Sequence, residues 1–150
     1  MGSFKSNSPK ESAGLQFWKL HQYWQKRIIE VLFPISITHT QFVILATLRW
    51  YQDQDIRPTQ QQVANISGIE KMTLSKSIRQ LEAKKLLVRE KSKLDSRSVS
   101  LFLSDTGLKI LVTAIKSVEE IDAEIFGVLG KEKSAKFSNH LFKINQALGI

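Results

Sequence analysis

One short stretch most limits what this chain can become. Between Leu87 and Leu103 the apolar residues drop into a period of two. Leu87, Arg89 and Lys91 alternate with their neighbours on one arm, Val99, Leu101 and Leu103 on the other, and polar residues 92–97 lie between. Successive side chains of a strand point to opposite faces, so two such runs around a polar tip read as a β-hairpin. Everywhere else apolar residues recur at intervals of three and four, the period of a helix. The chain is therefore expected to be mainly α with a single small β-hairpin.

Helix boundaries are marked by caps and breakers. Residues 1–13 are rich in Ser, Lys and Pro and read as a flexible tail. Met1 to Ser6 fits the loose N-myristoylation pattern, which a plain polar tail also satisfies. A first helix spans about 12–33, with Leu15, Trp18, Tyr23 or Gln22, Ile29, Leu32 and Phe33 on its apolar face, and Pro34 ends it. Thr38 with Gln41 and Thr59 with Gln62 repeat one capping-box signature, opening helices over about 38–52 and 59–66. Phe42, Leu45, Ala46 and Leu48 are inward in the second, and Val63, Ala64 and Ile66 are apolar in the third. Ile56-Arg57 is expected as a short strand before Pro58. After Ser67-Gly68 a fourth helix carries Leu74, Ile78 and Leu81 from about Glu70 to Lys85. Ser104 caps a long fifth helix, with Asp105 suitably placed against its dipole and Leu108, Leu111, Ile115, Val118, Ile125 and Leu129 on its ridge. Gly130 separates it from a last helix whose Phe137, Leu141, Ile144 and Leu148 form one stripe. The expected organisation is one domain over 14–150. A lobe over about 38–104 is flanked by long helices over about 12–33 and 105–148.

The third and fourth helices with the turn at Gly68 form a helix-turn-helix, and the hairpin that follows makes it a winged one. The fourth helix shows Lys71, Met72, Thr73, Ser75, Lys76, Arg79 and Gln80 outward, groups that can read bases or meet phosphates. Charge falls in the same place. Residues 70–97 hold nine Lys/Arg against four Asp/Glu, so they carry most of the formal +8 of the whole chain. Double-stranded DNA is the partner this implies. At the hairpin tip, with Lys91 and Lys93 nearby, Asp95 stands two residues before Arg97. The expectation is that its carboxylate braces the guanidinium for a minor groove. Thr59, Gln60 and Gln61 at a helix N-terminus are expected to meet phosphate. Glu119, Glu120, Asp122 and Glu124 read as a solvated acidic patch turned away from DNA.

Other chemistry is sparse. With no cysteine, disulfides, Cys-ligated zinc and thiol catalysis are excluded. His21, His39 and His140 are scattered, and neither a phosphate loop nor a nucleophile elbow is present, so neither an enzyme nor a metal or cofactor is expected. No segment approaches the ~18 apolar residues of a membrane span, and a cytoplasmic protein with no membrane partner is expected.

The run Asp95-Ser96-Arg97-Ser98-Val99-Ser100-Leu101-Phe102-Leu103-Ser104-Asp105-Thr106-Gly107 resembles the wing signature of the bacterial multiple-antibiotic-resistance regulator (MarR) family, with Ser104 where Thr is usual. Residues 59–64 and 81–86 also resemble that family, although Lys85 stands where it has Gly and Ser77 where it has an apolar residue. The resemblance implies an obligate homodimer interlocked through the first, fifth and sixth helices. It also implies a palindromic operator, on which the protein is expected to act as a repressor or an activator, released by a small aromatic ligand. Trp18, His21, Tyr23, Trp24, His39 and Trp50 are the aromatic and imidazole groups that could line such a cleft. Two other readings remain open here: a winged-helix module that binds protein, and a small-molecule sensor with weak DNA binding.

Overall fold

The computed structural model describes residues 8–92, 95 and 97–150. A 3-10 turn (Pro9–Glu11) leads into α1 (Ala13–Leu32), and a second (Phe33–Ile35) leads through a bend to α2 (His39–Gln52). Then follow α3 (Gln60–Ser67), α4 (Lys71–Ala83), the hairpin strands β1 (Leu87–Lys91) and β2 (Val99–Leu103), α5 (Asp105–Phe126) and α6 (Lys131–Leu148).

Local chemistry explains these boundaries. Both capping boxes form. The Thr38 hydroxyl accepts from the Gln41 amide at 3.1 Å, and the Thr59 hydroxyl accepts from the Gln62 amide at 3.3 Å. The glutamine oxygens accept in return from the threonine amides. Each box thus satisfies donors that a helix start leaves without partners. Gly68 closes α3 with φ +68°, and its amide donates to the Ala64 carbonyl. This left-handed turn sends α4 across α3 at no cost from a Cβ.

β1 and β2 pair antiparallel, with Leu87 opposite Leu103, Arg89 opposite Leu101 and Lys91 opposite Val99. Leu87, Leu101 and Leu103 turn into the core, where they meet Leu45 and Leu48 of α2, Leu74, Ile78 and Leu81 of α4, and Leu111 and Ala114 of α5. The same core continues to Ile28 and Leu32 of α1. Ser77 is buried on the core-facing side of α4.

Three expectations need correction. Ile56-Arg57 forms no strand. Pairing falls two residues later, where the Leu101 amide donates to the Pro58 carbonyl at 2.8 Å and Thr59 bridges to Ser100. The last turn expected for the fifth helix is a separate 3-10 turn, Gly127–Leu129. On α1, the side buried within the chain is Leu20, Trp24, Ile28 and Leu32, at a strict interval of four, whereas Leu15, Trp18, Tyr23, Ile29 and Phe33 are exposed. A 20-residue helix with apolar groups on two sides has two seams, and one chain fills only one of them. Among the described residues no single helix is long and apolar enough to cross a membrane.

The root of the hairpin is tied to the start of α5. The Ser104 hydroxyl donates to the Lys85 carbonyl at 2.6 Å and accepts from the Gly107 amide at 2.9 Å, while the Ser104 amide donates to the Leu86 carbonyl. Gly107 is indispensable here, because a Cβ would stand 1.8 Å from the Leu86 carbonyl oxygen. Lys85 keeps the left-handed exit (φ +59°) that its replacement for the family glycine had put in question. A side chain in that geometry costs about 1–2 kcal/mol.

Two substitutions test this junction by urea unfolding. Gly107→Ala should destabilise the chain by about 3 kcal/mol or more, since backbone must move to admit the methyl. Lys85→Gly should stabilise it by up to about 1 kcal/mol, the relief of strain less the added chain entropy of glycine.

Candidate nucleic-acid interface

The exposed side of α4 is a shallow groove of about 620 Å³ lined by Met72, Thr73, Lys76, Arg79 and Gln80. Met72 is 80% exposed, so its thioether is open to solvent on this side. Lys71 lies exposed at the start of the same helix. Half-buried Ser75 accepts from Arg79 Nη2 at 3.1 Å, which holds the guanidinium along the helix.

A second groove, of about 450 Å³, runs between the start of α3 and the hairpin. Thr59, Gln60 and Gln61 form one side, with Arg97 and Asp95 on the other, and Arg89 also lines it. Two of the four leading donors of α3 are taken by its capping box. Among the described residues the Gln60 and Gln61 amides have no protein partner. They present positive partial charge to the groove. Lys91 is exposed on β1, and Lys93 lies outside the described residues.

The tip departs from expectation in one respect. The Asp95 carboxylate accepts from the backbone amide of Arg97 at 2.9 Å and makes no ion pair with its guanidinium. A short acidic side chain two residues before an amide readily closes such a turn. Asp95 therefore shapes the backbone that carries Arg97 and leaves the guanidinium free to act outward.

Sequence reasoning missed Arg89 and Arg57. Arg89 shares the strand face of Leu87 and Lys91, a signal that the alternation itself carried. Arg57 lies over the Phe102 ring at 4.4 Å and pairs with Glu90 at 2.6 Å, bracing the outer hairpin face. Nothing local marks that contact, which joins residues 33 apart in sequence.

Glu70 caps α4. Its carboxylate accepts from the Met72 and Thr73 amides, both at 3.0 Å, and from the Thr73 hydroxyl. The Met72 amide first, then that of Thr73, hold it below the ordinary carboxylate value.

The aromatic set divides. Rings of Phe17, His21, Trp24, His39 and Phe42 follow one another from α1 onto α2 at centroid separations of 5.0 to 6.4 Å. His39 Nδ1 lies 2.9 Å from Gln25 Oε1, and burial pushes its imidazole below the ordinary value. His39 lines a cavity of about 300 Å³ at the α1–α2 bend, with Gln25, Ile29, Phe33, Ile37 and Thr38. His21 and Trp24 line an apolar one of about 230 Å³ beside Phe126, Phe137 and Leu141. Trp18 and Tyr23 are exposed outside both cavities, and Trp50 stacks edge-on against Tyr51 at the far end of α2. The acidic patch is also only partly solvated. Asp122 accepts from Trp24 Nε1 at 2.8 Å, and Glu124 takes Arg27 with two bonds of 2.7 and 3.0 Å. These two acids fasten α5 to α1.

A helix-turn-helix followed by a hairpin, with cationic side chains on the exposed helix and at the hairpin tip, defines a transcriptional regulator with a DNA-binding winged helix. Residues 34–122 match the ArnR1-like, winged-helix domain family, and the chain belongs to it. It is 31% identical over 130 residues to the uncharacterized HTH-type transcriptional regulator YdcH of Bacillus subtilis, covering 87% of this chain and 88% of that one. Among solved structures it resembles BpsR of Bordetella bronchiseptica, with TM-score 0.83, 22% identity and coverage of 96% and 98% of the two chains. It also resembles MepR of S. aureus in a DNA complex, with TM-score 0.80, 22% identity and coverage of 91% and 98%. At these identities the structural likeness is one of fold.

The Glu70 cap makes a pH prediction. A carboxylate held low in the folded state adds stability that is fully present above its ordinary value of 4.5 and is lost as pH falls through the depressed one. Acid unfolding followed by circular dichroism should therefore be less steep in Glu70→Gln than in wild type below that pH. Superimposable acid limbs would rule the cap out as a pH-dependent element.

Proposed function

We propose that the protein is a homodimeric repressor that acts by binding a palindromic operator and not by catalysis. In this reading Lys71, Met72, Thr73, Ser75, Lys76 and Arg79 of α4 enter the major groove. Arg97, on the turn shaped by Asp95, enters the adjoining minor groove, and Lys91 and Lys93 strengthen the wing electrostatically. Thr59, Gln60 and Gln61 hold phosphate at the start of α3. The observation that carries the reading is the grouping of these elements: the α3 N-terminus and the wing enclose one groove, beside the exposed face of α4.

The dimer follows from what a single chain leaves uncovered. Phe17, Trp18, Ile29 and Phe33 of the first helical segment and Phe142, Ile144 and Leu148 of α6 are at least half exposed, and α6 buries no residue within its own chain. Apolar surface of this extent on two helical segments calls for a partner, and a two-fold copy supplies a matching surface. Two lobes would then meet half-sites about one helical turn apart, roughly 34–36 Å.

A small aromatic effector fits the cavity at the α1–α2 bend, where apolar walls surround a few polar groups. BpsR, one of the proteins similar in fold, is described as regulated in DNA binding by 6-hydroxynicotinic acid. A ligand here would act by favouring a lobe orientation that misses the operator spacing.

Selection from random duplex DNA should recover a palindrome. Its affinity should fall linearly with log salt, with a slope of about −0.9 per phosphate neutralised. Arg97→Ala should cost about 1–3 kcal/mol in a gel shift at fixed salt. Unchanged affinity would remove the wing from the interface. An absence of any duplex binding at low salt would overturn the regulator reading and favour a protein-binding module.

A further inference from the structure

The C-terminal end of α4 is fastened to the bend between α1 and α2. Lys84 follows the last turn of α4, and its ammonium Nζ donates to the Ser36 carbonyl at 2.6 Å and to Gln41 Oε1 at 3.3 Å. Gln41 is 2% exposed and completes the link. Its Oε1 also accepts from the Thr38 amide, and its Nε2 donates to Gln80 Oε1 at 3.2 Å. Ser36 takes a left-handed conformation (φ 58°) in the bend where the α1 arm becomes the lobe. Gln41 thus serves two roles, as the capping residue of α2 and as the contact point for α4.

We propose that Lys84 is a positioning residue for operator recognition, one that sets the angle of the recognition helix against the dimer arm through Ser36 and Gln41. This rests on the reading of α4 as the recognition helix of a dimer. The reason is leverage. Thirteen residues at ~1.5 Å each make a rod ~20 Å long, so a tilt of about 10° at its C-terminal anchor moves its first turn by about 3 Å. Base-edge hydrogen bonds tolerate only a few tenths of an ångström. Lys84 does not line the α4 groove, whose cationic residues are Lys76 and Arg79. Its charge is spent on a protein carbonyl, where a charge-assisted bond is stronger than a neutral one. The capping role of Gln41 leaves Lys84 as the partner that can be removed without dismantling α2.

The test compares Lys84→Met and Lys84→Arg with wild type on the selected palindrome and on a duplex carrying one half-site. Lys84→Met should lose about tenfold in affinity on the palindrome, from the loss of one charge-assisted bond. It should lose at most about twofold on the single half-site, keep the wild-type salt slope and tolerate a wider range of half-site spacings. Lys84→Arg should recover most of the loss. A readout without DNA is amide exchange, which should quicken over residues 36–41 in Lys84→Met. Equal losses on both duplexes with a shallower salt slope would make Lys84 a phosphate ligand and overturn the proposal. So would wild-type affinity together with unchanged exchange. Failure of the wild-type protein to bind any duplex would instead sink the regulator reading, and the exchange result would then show separately whether Lys84 holds the bend.

Discussion

The Ser104 hydroxyl sits where three parts of the molecule meet, and the arrangement of the rest depends on it. It donates to the carbonyl that ends the left-handed exit from α4 and accepts from the third amide of α5, while its own backbone reaches the root of the hairpin. One side chain thus satisfies groups that a helix end and a helix start would otherwise leave without partners. The contact is possible because Gly107 lets α5 approach the Leu86 carbonyl more closely than any side chain would allow. A two-stranded hairpin has little stability of its own. This one persists because its inner leucines lie under α4 and α5, brought together at that junction.

From this anchor the two ends of the molecule diverge in chemistry. The lobe presents cations on α4 and the wing, and three of its acids are used internally: Glu70 caps α4, Glu90 meets Arg57, and Glu82 lies 3.6 Å from Arg89. The arm shows apolar surface, and two of its acids are consumed in joining α1 to α5 through Trp24 and Arg27. A surface pair such as Arg27–Glu124 adds little stability by itself. Its value is geometric, since it keeps two long helices in register. The regulator thus has one end rich in cations and another that leaves apolar side chains exposed, with the bend at residues 33–38 between them.

Much of this was legible in the chain. Thr38, Thr59 and Ser104 announced three helix starts because capping is a local affair of three or four residues, and all three form the expected bonds. The change from helical spacing to alternation located both strands of the hairpin. The grouping of cations around residues 70–97 pointed to the surface later found as two grooves. Errors arose where a partner distant in sequence decided the outcome. On the first helix the expected face held Leu15, Trp18, Ile29 and Phe33, and packing against α5 turns Leu20, Trp24, Ile28 and Leu32 inward. The six aromatic and imidazole residues looked equivalent on paper, yet helical rotation placed Trp18, Tyr23 and Trp50 away from the column built on His21, Trp24 and His39.

What the amino-acid order determined by itself was therefore what short-range physics governs: period, caps, breaks, and the sign and location of charge. Tertiary structure alone decided which of two faces is inside, that Asp95 grips a backbone amide in place of a guanidinium, and that Arg57 and Lys84 reach across 33 and 48 residues to brace the hairpin and the bend. Such contacts depend on distances between elements whose relative placement is set only when the shared core closes. No pattern within a single element encodes them.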